Sequence, residues 1–203
     1  MYAMLTESSK ERKLSFDIRR TIILGAFIKE WSMPEYRVIL NQPDKAIHIE
    51  IYYFPAVSDN DVARFATVGL SGTLRSNGQP IYTEWMMALS SDLGGESVDR
   101  IFSYVCDLIA HHIETSRNSQ IPRVMEESGL APANWSTKAF LLDELRGESE
   151  ELEEIQIGNE VVQVVWALPI TAQEASLILR EGVEAFDSYM ADTEHSIIDP
   201  RRS

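Results

Sequence analysis

The chain has 203 residues, a single cysteine and a formal net charge of −14, because 32 aspartates and glutamates outnumber 18 lysines and arginines. One cysteine excludes an internal disulfide and a multi-cysteine metal cluster, and it is typical of a reducing compartment, so we expect a cytoplasmic protein. The acidity repels phosphate backbones and anionic lipids, so neither nucleic acid nor a membrane is an expected partner.

The N-terminal part of the chain predicts a helix followed by two strands. Apolar residues at helical spacing predict an amphipathic helix over 9–31 that packs on a sheet. The residues expected on its buried face are Leu14, Ile18, Ile22, Phe27 and Trp31. Strands are predicted at 36–40 and 46–54 with a turn at 41–44, and the second strand alternates like a half-solvated one.

The middle of the chain predicts two more strands and a second helix. The strands lie at 62–70 and 81–89 and are joined by a polar loop rich in turn-forming residues. The Trp-Met-Met run at 85–87 could anchor an interface, but in a strand such residues favour a place in the core. A broad apolar face predicts a helix over 97–115.

The clearest local signal in the sequence is a hairpin over 155–170. Gly158 and Asn159 supply the positive φ values of its tight turn. The arm over 161–168 is almost wholly apolar, which predicts a strand in the middle of a sheet. A further strand is predicted at 138–142.

The end of the chain completes the prediction of the fold. Thr171 and Glu174 have the spacing of a capping box, so they predict the start of a last helix. Residues 192–203 are expected to form a disordered tail. The elements do not alternate strictly between strand and helix, which favours one α+β domain over 1–191, with a mixed, mainly antiparallel β-sheet covered by helices.

Patterns that would carry catalysis or bind a metal are few. The sequence has no Gly-rich phosphate loop, Gly-x-Ser-x-Gly elbow or His-Glu-x-x-His helix. His48 and Glu50 share one strand face and could act as base and orienter of a hydrolase or line a small-ligand site, although a solvated strand face is favoured. His111 with Glu114 is too generic to predict a metal site. Cys106, beside an apolar helix face, indicates a small buried hydrophobe.

A dense run of acidic residues lies between 143 and 154. Its members are Asp143, Glu144, Glu148, Glu150, Glu151, Glu153 and Glu154, with Arg146 as the only base. Seven acids minus one base give −6, nearly half of the net charge. Two hypotheses stay open: a flexible solvated loop, which the pattern favours, or a surface that docks a basic protein.

Several segments, taken in their order along the chain, resemble those of a known protein family. They read Ile-His-Ile-Glu-Ile-Tyr-Tyr-Phe-Pro at 47–55, Phe-Ala-Thr-Val-Gly-Leu-Ser at 65–71 and Tyr-Thr-Glu-Trp-Met-Met-Ala-Leu at 82–89. The ending runs from Val-Trp-Ala-Leu-Pro-Ile-Thr-Ala-Gln-Glu at 165–174 to Glu-Gly-Val-Glu-Ala-Phe at 181–186. Over 47–189 the chain resembles the suppressor-of-fused-like family, in its bacterial single-domain form.

This resemblance implies a globular domain that binds another protein, without an enzymatic role or a cofactor. In animals the family clamps a transcription factor with the help of a second domain, and in bacteria it is proposed to neutralise toxin domains as an immunity protein. Gly69, Ser71 and Glu84 match recurring positions of the family, which implies that they shape the domain and part of a surface. The expected partner is a basic toxin domain, and the oligomeric state stays open.

Overall fold

An eight-stranded mixed β-sheet forms the centre of the computed structural model, which describes residues 9–42, 47–58 and 61–203. The helices are α1 (Ser9–Trp31), α2 (Val98–Thr115), α3 (Ala172–Glu181) and α4 (Val183–Ala191). The strands are β1 (Tyr36–Gln42), β2 (Ile47–Phe54), β3 (Ala63–Val68), β4 (Thr83–Leu89), β5 (Arg123–Met125), β6 (Ala139–Glu144), β7 (Glu154–Ile157) and β8 (Glu160–Ile170). The predicted α+β class is confirmed.

The order of strands in the sheet is β1-β2-β3-β4-β8-β6-β5, with β7 paired to the first half of β8. Strands β1 to β4 form an antiparallel meander. Strands β4 and β8 are parallel, with Thr83 opposite Gln163, while β6 and β7 run antiparallel to β8. Strand β8 is therefore central, as its apolar sequence predicts.

Helices cover both faces of the sheet and enclose two apolar cores. Helix α2 covers one face, where the core includes Ile49, Ile51, Trp85, Ile101, Tyr104 and Leu108. Helices α1, α3 and α4 cover the other face, where the core includes Ile23, Phe27, Phe54, Met86, Leu168, Ile178 and Phe186. No helix within the described residues has the length and apolarity that crossing a bilayer requires.

Local sequence signals are confirmed where they depend on near neighbours. Gly158 has a φ of +60° in the β7–β8 turn, whereas the φ of Asn159 is not positive, so the prediction of two positive values is confirmed for Gly158 and wrong for Asn159. The Thr171 hydroxyl accepts from the backbone N–H of Glu174, while the Glu174 carboxylate accepts from the N–H of Thr171, which is the predicted capping box. The Ser97 hydroxyl caps α2 by accepting from the N–H of Arg100.

The predicted inner face of α1 is wrong over the first part of the helix. Leu14, Ile18 and Ile22 are 61%, 49% and 36% exposed, whereas Ile23 and Phe27 are buried. The run Ile-Ile-Leu at 22–24 is apolar around most of the helix, so the sequence does not define which side faces the sheet.

The prediction of a half-solvated second strand is also wrong. Glu50 and Tyr52, expected to point to solvent, are buried because α1 covers that face of β2. Within the predicted turn at 41–44, Asn41 and Gln42 belong to β1. Pro43 and Asp44 lie outside the described residues.

The end of the chain differs from the prediction in two ways. The last helix is divided into α3 and α4 at Gly182, whose φ is +91°. Residues 192–203 do not form a disordered tail, since the N–H of Ser90 donates to Ile198 and the Thr137 hydroxyl donates to the carbonyl oxygen of Pro200. The final segment therefore packs against the domain.

Arg202 holds this final segment through a buried ion pair. Its Nε lies 2.9 Å from Oε1 of Glu174, and the two side chains are 2% and 4% exposed. The guanidinium also donates to the carbonyl oxygens of Pro169, at 2.7 Å, and Ile197, at 2.6 Å. The carboxylate that closes the capping box of α3 is thus the same one that holds the end of the chain.

We predict that Arg202→Ala lowers the free energy of unfolding by about 3–5 kcal/mol, because it leaves the Glu174 carboxylate buried without its cation. Urea denaturation followed by circular dichroism measures this loss. The matched control is Arg201→Ala, since Arg201 is 42% exposed where it pairs with Asp92, and exposed ion pairs contribute less than about 1 kcal/mol. Equal losses for both variants would contradict the buried pair.

Candidate functional site

Glu84 lies in β4 with its carboxylate fully inside the protein. Five groups donate to it over 2.6–3.2 Å, namely the hydroxyls of Thr67 and Ser71 and the backbone N–H groups of Gly69, Leu70 and Ser71. Burial raises the pKa of Glu84, and these hydrogen bonds oppose that shift. The carboxylate thus organises the chain that leaves β3.

This arrangement requires glycine at position 69, because neither the backbone conformation nor the space there accepts a side chain. Its φ is +101°, and an added Cβ would lie 2.7 Å from the ring of Phe16 and 2.8 Å from the carbonyl oxygen of His48. Glycine provides both the left-handed conformation and the space. Gly69 directly follows Val68, the last residue of β3, so this conformation turns the chain where the strand ends.

The hydrogen bonds around Glu84 continue to the surface through α1. The Ser71 hydroxyl, which donates to Glu84, accepts from Nη1 of Arg19 at 2.9 Å, and Arg19 also pairs with Glu160 of β8. Gly69, Ser71 and Glu84, the three residues that match recurring positions of the family, are therefore brought together. Ser71 and Glu84 are buried, however, so they shape the domain and do not form part of a surface.

The His48 and Glu50 pair does not have the geometry of a base and its orienter. Nε2 of His48 lies 3.9 Å from Oε1 of Glu50, which is beyond hydrogen-bond distance. Glu50 instead pairs with Arg20 at 2.9 Å and Arg37 at 3.2 Å, and it accepts from the hydroxyl of Tyr52. The carboxylate is occupied by two cations and a phenol.

The other candidate residues show no arrangement for catalysis. Within 9–42, 47–58 and 61–203, no three metal-binding side chains come close enough to hold an ion. Cys106 is partly buried, and burial raises the pKa of its thiol, which disfavours the reactive thiolate. Trp85, Met86 and Met87 are all buried, so their interpretation as core residues is confirmed.

Two members of the acidic run are internal, which corrects the expectation of a flexible solvated loop. Asp143 is buried at the end of β6 and pairs with Arg146. Glu148 is 8% exposed and accepts from Nε of Arg64 and Nε1 of Trp31, each at 2.7 Å. Both carboxylates fix the course of the chain between β6 and β7.

The remaining acids form an exposed group that we call the acidic surface: Glu144, Glu150, Glu151, Glu153 and Glu154. A 3-10 turn over 150–152 presents part of it, and its buried Leu152 anchors the turn in the core. Glu151 pairs with Lys29. In the described part of the chain, the side chains of the other four glutamates make no ion pair or hydrogen bond.

His112 is a buried group that the sequence did not single out. Its ring packs against Trp85 at a centroid distance of 5.0 Å. The pKa of His112 is lowered to about 3, chiefly because the ring is buried and also because the charges of Arg123, Arg75 and His111 lie nearby. The one sign of this burial in the sequence is that the helical period places residue 112 among the apolar positions of α2.

Comparison with known proteins identifies the family of this domain. Residues 45–203 match the family model described as suppressor of fused protein, SUFU. The chain belongs to the SUFU family. The match begins just before β2, so it includes Gly69, Ser71 and Glu84 but leaves α1 and β1 outside. No curated protein matches this SUFU sequence.

Two solved structures share the fold of this SUFU domain. A protein assigned as a SUFU homologue from Neisseria gonorrhoeae is 15% identical with a TM-score of 0.69, and the alignment covers 92% of this chain and 96% of that chain. A chain of the Sufu–Fu complex is 13% identical with a TM-score of 0.59, and the alignment covers 89% and 84%. At such identities the likeness establishes the fold alone.

We predict that Gly69→Ala destabilises the SUFU domain by about 3 kcal/mol or more, since backbone strain adds to overlap with the main chain. Gly78→Ala is the matched control, because Gly78 also has a positive φ, of +80°, but open space around it. We expect the control to cost only about 1–2 kcal/mol of strain. Thermal and urea unfolding compare the variants, and a control loss as large as that of Gly69→Ala would contradict the contact with His48.

We also predict that acid weakens this domain through His112. Its pKa is lowered in the folded state, so the unfolded state binds more protons and stability falls as pH drops below about 6.5 towards 3. Between pH 7 and pH 5 we expect a loss of about 2 kcal/mol from this residue. His112→Gln should remove that part of the pH dependence in urea titrations, and an unchanged slope would contradict the prediction.

Proposed function

We propose that this chain is a non-enzymatic protein-binding domain that docks a basic partner on the acidic surface. The observation that carries the proposal is that Glu144, Glu150, Glu153 and Glu154 are exposed and make no internal pair within the described residues. Their charges are thus available to an incoming cation. Acids that served only the fold would be paired inside, as Asp143 and Glu148 are.

The surroundings of these glutamates support a docking role. Glu154 lies on β7, whose pairing with β8 fixes its backbone, and the carbonyl oxygen of Glu153 accepts a hydrogen bond from the N–H of Val164. The buried side chain of Leu152 anchors the 3-10 turn that precedes Glu153. Charges on a rigid scaffold lose little conformational entropy when they bind, so they contribute more to affinity than charges on a flexible loop.

A fold-level comparison supports the same class of function. The Sufu–Fu complex contains a chain with this fold bound to another protein. At 13% identity its binding surface does not transfer to this chain, so the acidic surface rests on the residues of this chain alone.

The alternative of a hydrolase or small-ligand protein centred on His48 and Glu50 has weaker support. Glu50 is 4% exposed and held by Arg20 and Arg37, so it is not available to orient a catalytic imidazole. A base–orienter pair requires a direct hydrogen bond between its members. The geometry favours a structural ion cluster between α1, β1 and β2.

We further propose that the partner is a toxin domain with a basic cleft and that this protein acts in the cytoplasm as its immunity protein. The family resemblance suggests the role, and the net charge of −14 suits a basic target. The Neisseria gonorrhoeae structure shows that the fold occurs as a bacterial chain of similar length, since the alignment covers 96% of it. The single cysteine suits a reducing compartment.

We predict salt-sensitive binding that depends on the acidic surface. A tagged protein should capture a basic partner from its native lysate in equal stoichiometry at low salt, and the association rate with the purified partner should fall about tenfold or more as salt rises to about 0.3 M. Glu153→Lys/Glu154→Lys should slow association by at least about tenfold at low salt, because it reverses the local charge. Stopped-flow fluorescence measures these rates.

The matched control for this test is Glu126→Lys/Glu127→Lys. It reverses two adjacent exposed acids outside the acidic surface and changes the net charge by the same amount. A control that slows association as much as the test variant would assign the effect to net charge alone. An association rate that does not respond to salt would contradict electrostatic docking.

A further inference from the structure

Helix α1 exposes an apolar stripe on the side that faces away from the sheet. Leu14, Ile18 and Ile22 recur every four residues, so they lie one above the other on a single face, and all three are exposed. Gly25 continues that face one turn further, and within the described residues no atom lies within 4 Å of a Cβ added there. We call these four residues the outer stripe. An apolar face of this kind on a solvated helix indicates a contact surface.

The two ends of the outer stripe carry opposite charge. Lys10 and Arg12 flank its start and Glu11 lies on it, two bases and one acid, which give +1, while Lys13 points to the other side of the helix. Next to its end lie Lys29 and Glu30 together with Glu150 and Glu151 of the neighbouring 3-10 turn, one base and three acids, which give −2. The ion pair of Lys29 with Glu151 shows that this turn lies beside the end of α1.

We propose that the outer stripe is the contact surface of a homodimer in which the α1 helices of two copies pack antiparallel. An antiparallel pair related by a twofold axis places the positive end of each helix beside the negative end of the other, so the same attraction occurs twice. A parallel pair would bring like charges together. The charge pattern therefore favours a second copy of the chain as the partner, with the two α1 helices antiparallel.

The side chains of the outer stripe are complementary in the same arrangement. When the twofold axis passes near residue 20, Ile18 of one copy lies opposite Ile22 of the other. Leu14 then lies close to Gly25 of the other copy, where the absence of a side chain leaves room for it. Large residues facing small ones let two helices approach closely.

An anionic membrane is a poorer occupant for this surface. Its attraction would act on the positive end of α1 only, while Glu30, Glu150 and Glu151 would be repelled at the other end. The rest of the chain is also strongly acidic, which opposes approach to anionic lipid. A second copy of the chain instead places opposite charge beside both ends of this face.

The size of the contact predicts a weak and reversible dimer. Pairing over residues 11–29 extends for about 28 Å along the helix, with a width of about 10 Å. This is below the area of a standard stable interface, so the dissociation constant should lie in the micromolar range or above. The dimer rests on observations separate from those of the proposed function, although it covers Glu150 and Glu151 of the acidic surface.

Sedimentation equilibrium of the full chain at low salt tests the apolar part of the contact, over concentrations from about 1 to about 500 µM. The protein should pass from monomer to dimer across that range. Ile18→Glu should raise the dissociation constant at least tenfold, because it places a charge in the outer stripe. The control Leu179→Glu changes a 75% exposed residue of α3 and should leave the dissociation constant unchanged.

Charge reversal tests the antiparallel orientation. Lys10→Glu/Arg12→Glu and Glu150→Lys/Glu151→Lys should each weaken the dimer about tenfold, and the two combined in one chain should restore it to within about threefold of the original. Glu126→Lys/Glu127→Lys again controls for net charge, and circular dichroism checks that each variant is folded.

A protein that stays monomeric throughout the concentration range would overturn the proposal. Ile18→Glu behaving like Leu179→Glu, or a combined variant that does not recover, would also overturn it. Ile18→Glu separates this inference from the proposed function, since it should abolish the dimer while leaving salt-sensitive capture of a basic partner intact.

Discussion

A carboxylate without solvent contact determines how the centre of this protein is built. Because a carboxyl group inside a protein loses its hydration, Glu84 requires hydrogen-bond donors from the protein, and the segment 67–71 supplies five of them. That requirement fixes the turn after β3, makes glycine necessary at 69 and orients Ser71 towards Arg19. Arg19 belongs to α1, so one buried carboxyl group on β4 is linked through Ser71 to the helix that covers this face of the sheet.

The parts of the fold that the sequence predicts are those governed by short-range physics. The turn at Gly158 and the capping box of Thr171 and Glu174 depend on residues within a few positions of one another, and both are confirmed. The side of α1 that faces the sheet does not follow from near neighbours in the sequence. Several faces of that helix are apolar, and the choice between them is made by partners far along the chain, such as the contact of Arg19 with Ser71.

The same distinction applies to the candidate site. The acidic run from 143 to 154 is visible as a local excess of charge, but its division into internal and exposed acids is not. Glu148 is internal because Arg64 and Trp31, both distant in sequence, reach its carboxylate. Likewise, the spacing of His48 and Glu50 on one strand gives no indication that Glu50 is paired with two arginines. Local charge density predicts where acids are, whereas tertiary partners decide which are free to bind.

The parallel pairing of β4 with β8 has a consequence for how the chain folds. Thr83 pairs with Gln163, which follows 80 residues later, so the middle of the sheet closes only after most of the chain is available. The meander from β1 to β4 can form early from local contacts, whereas closing the long loop is slow. Until β8 arrives, β4 presents a hydrophobic edge of unpaired backbone groups, which is the type of edge that aggregates. During synthesis on the ribosome, this edge stays unpaired until β8 has emerged, and a chaperone that covers it in that interval would prevent such aggregation.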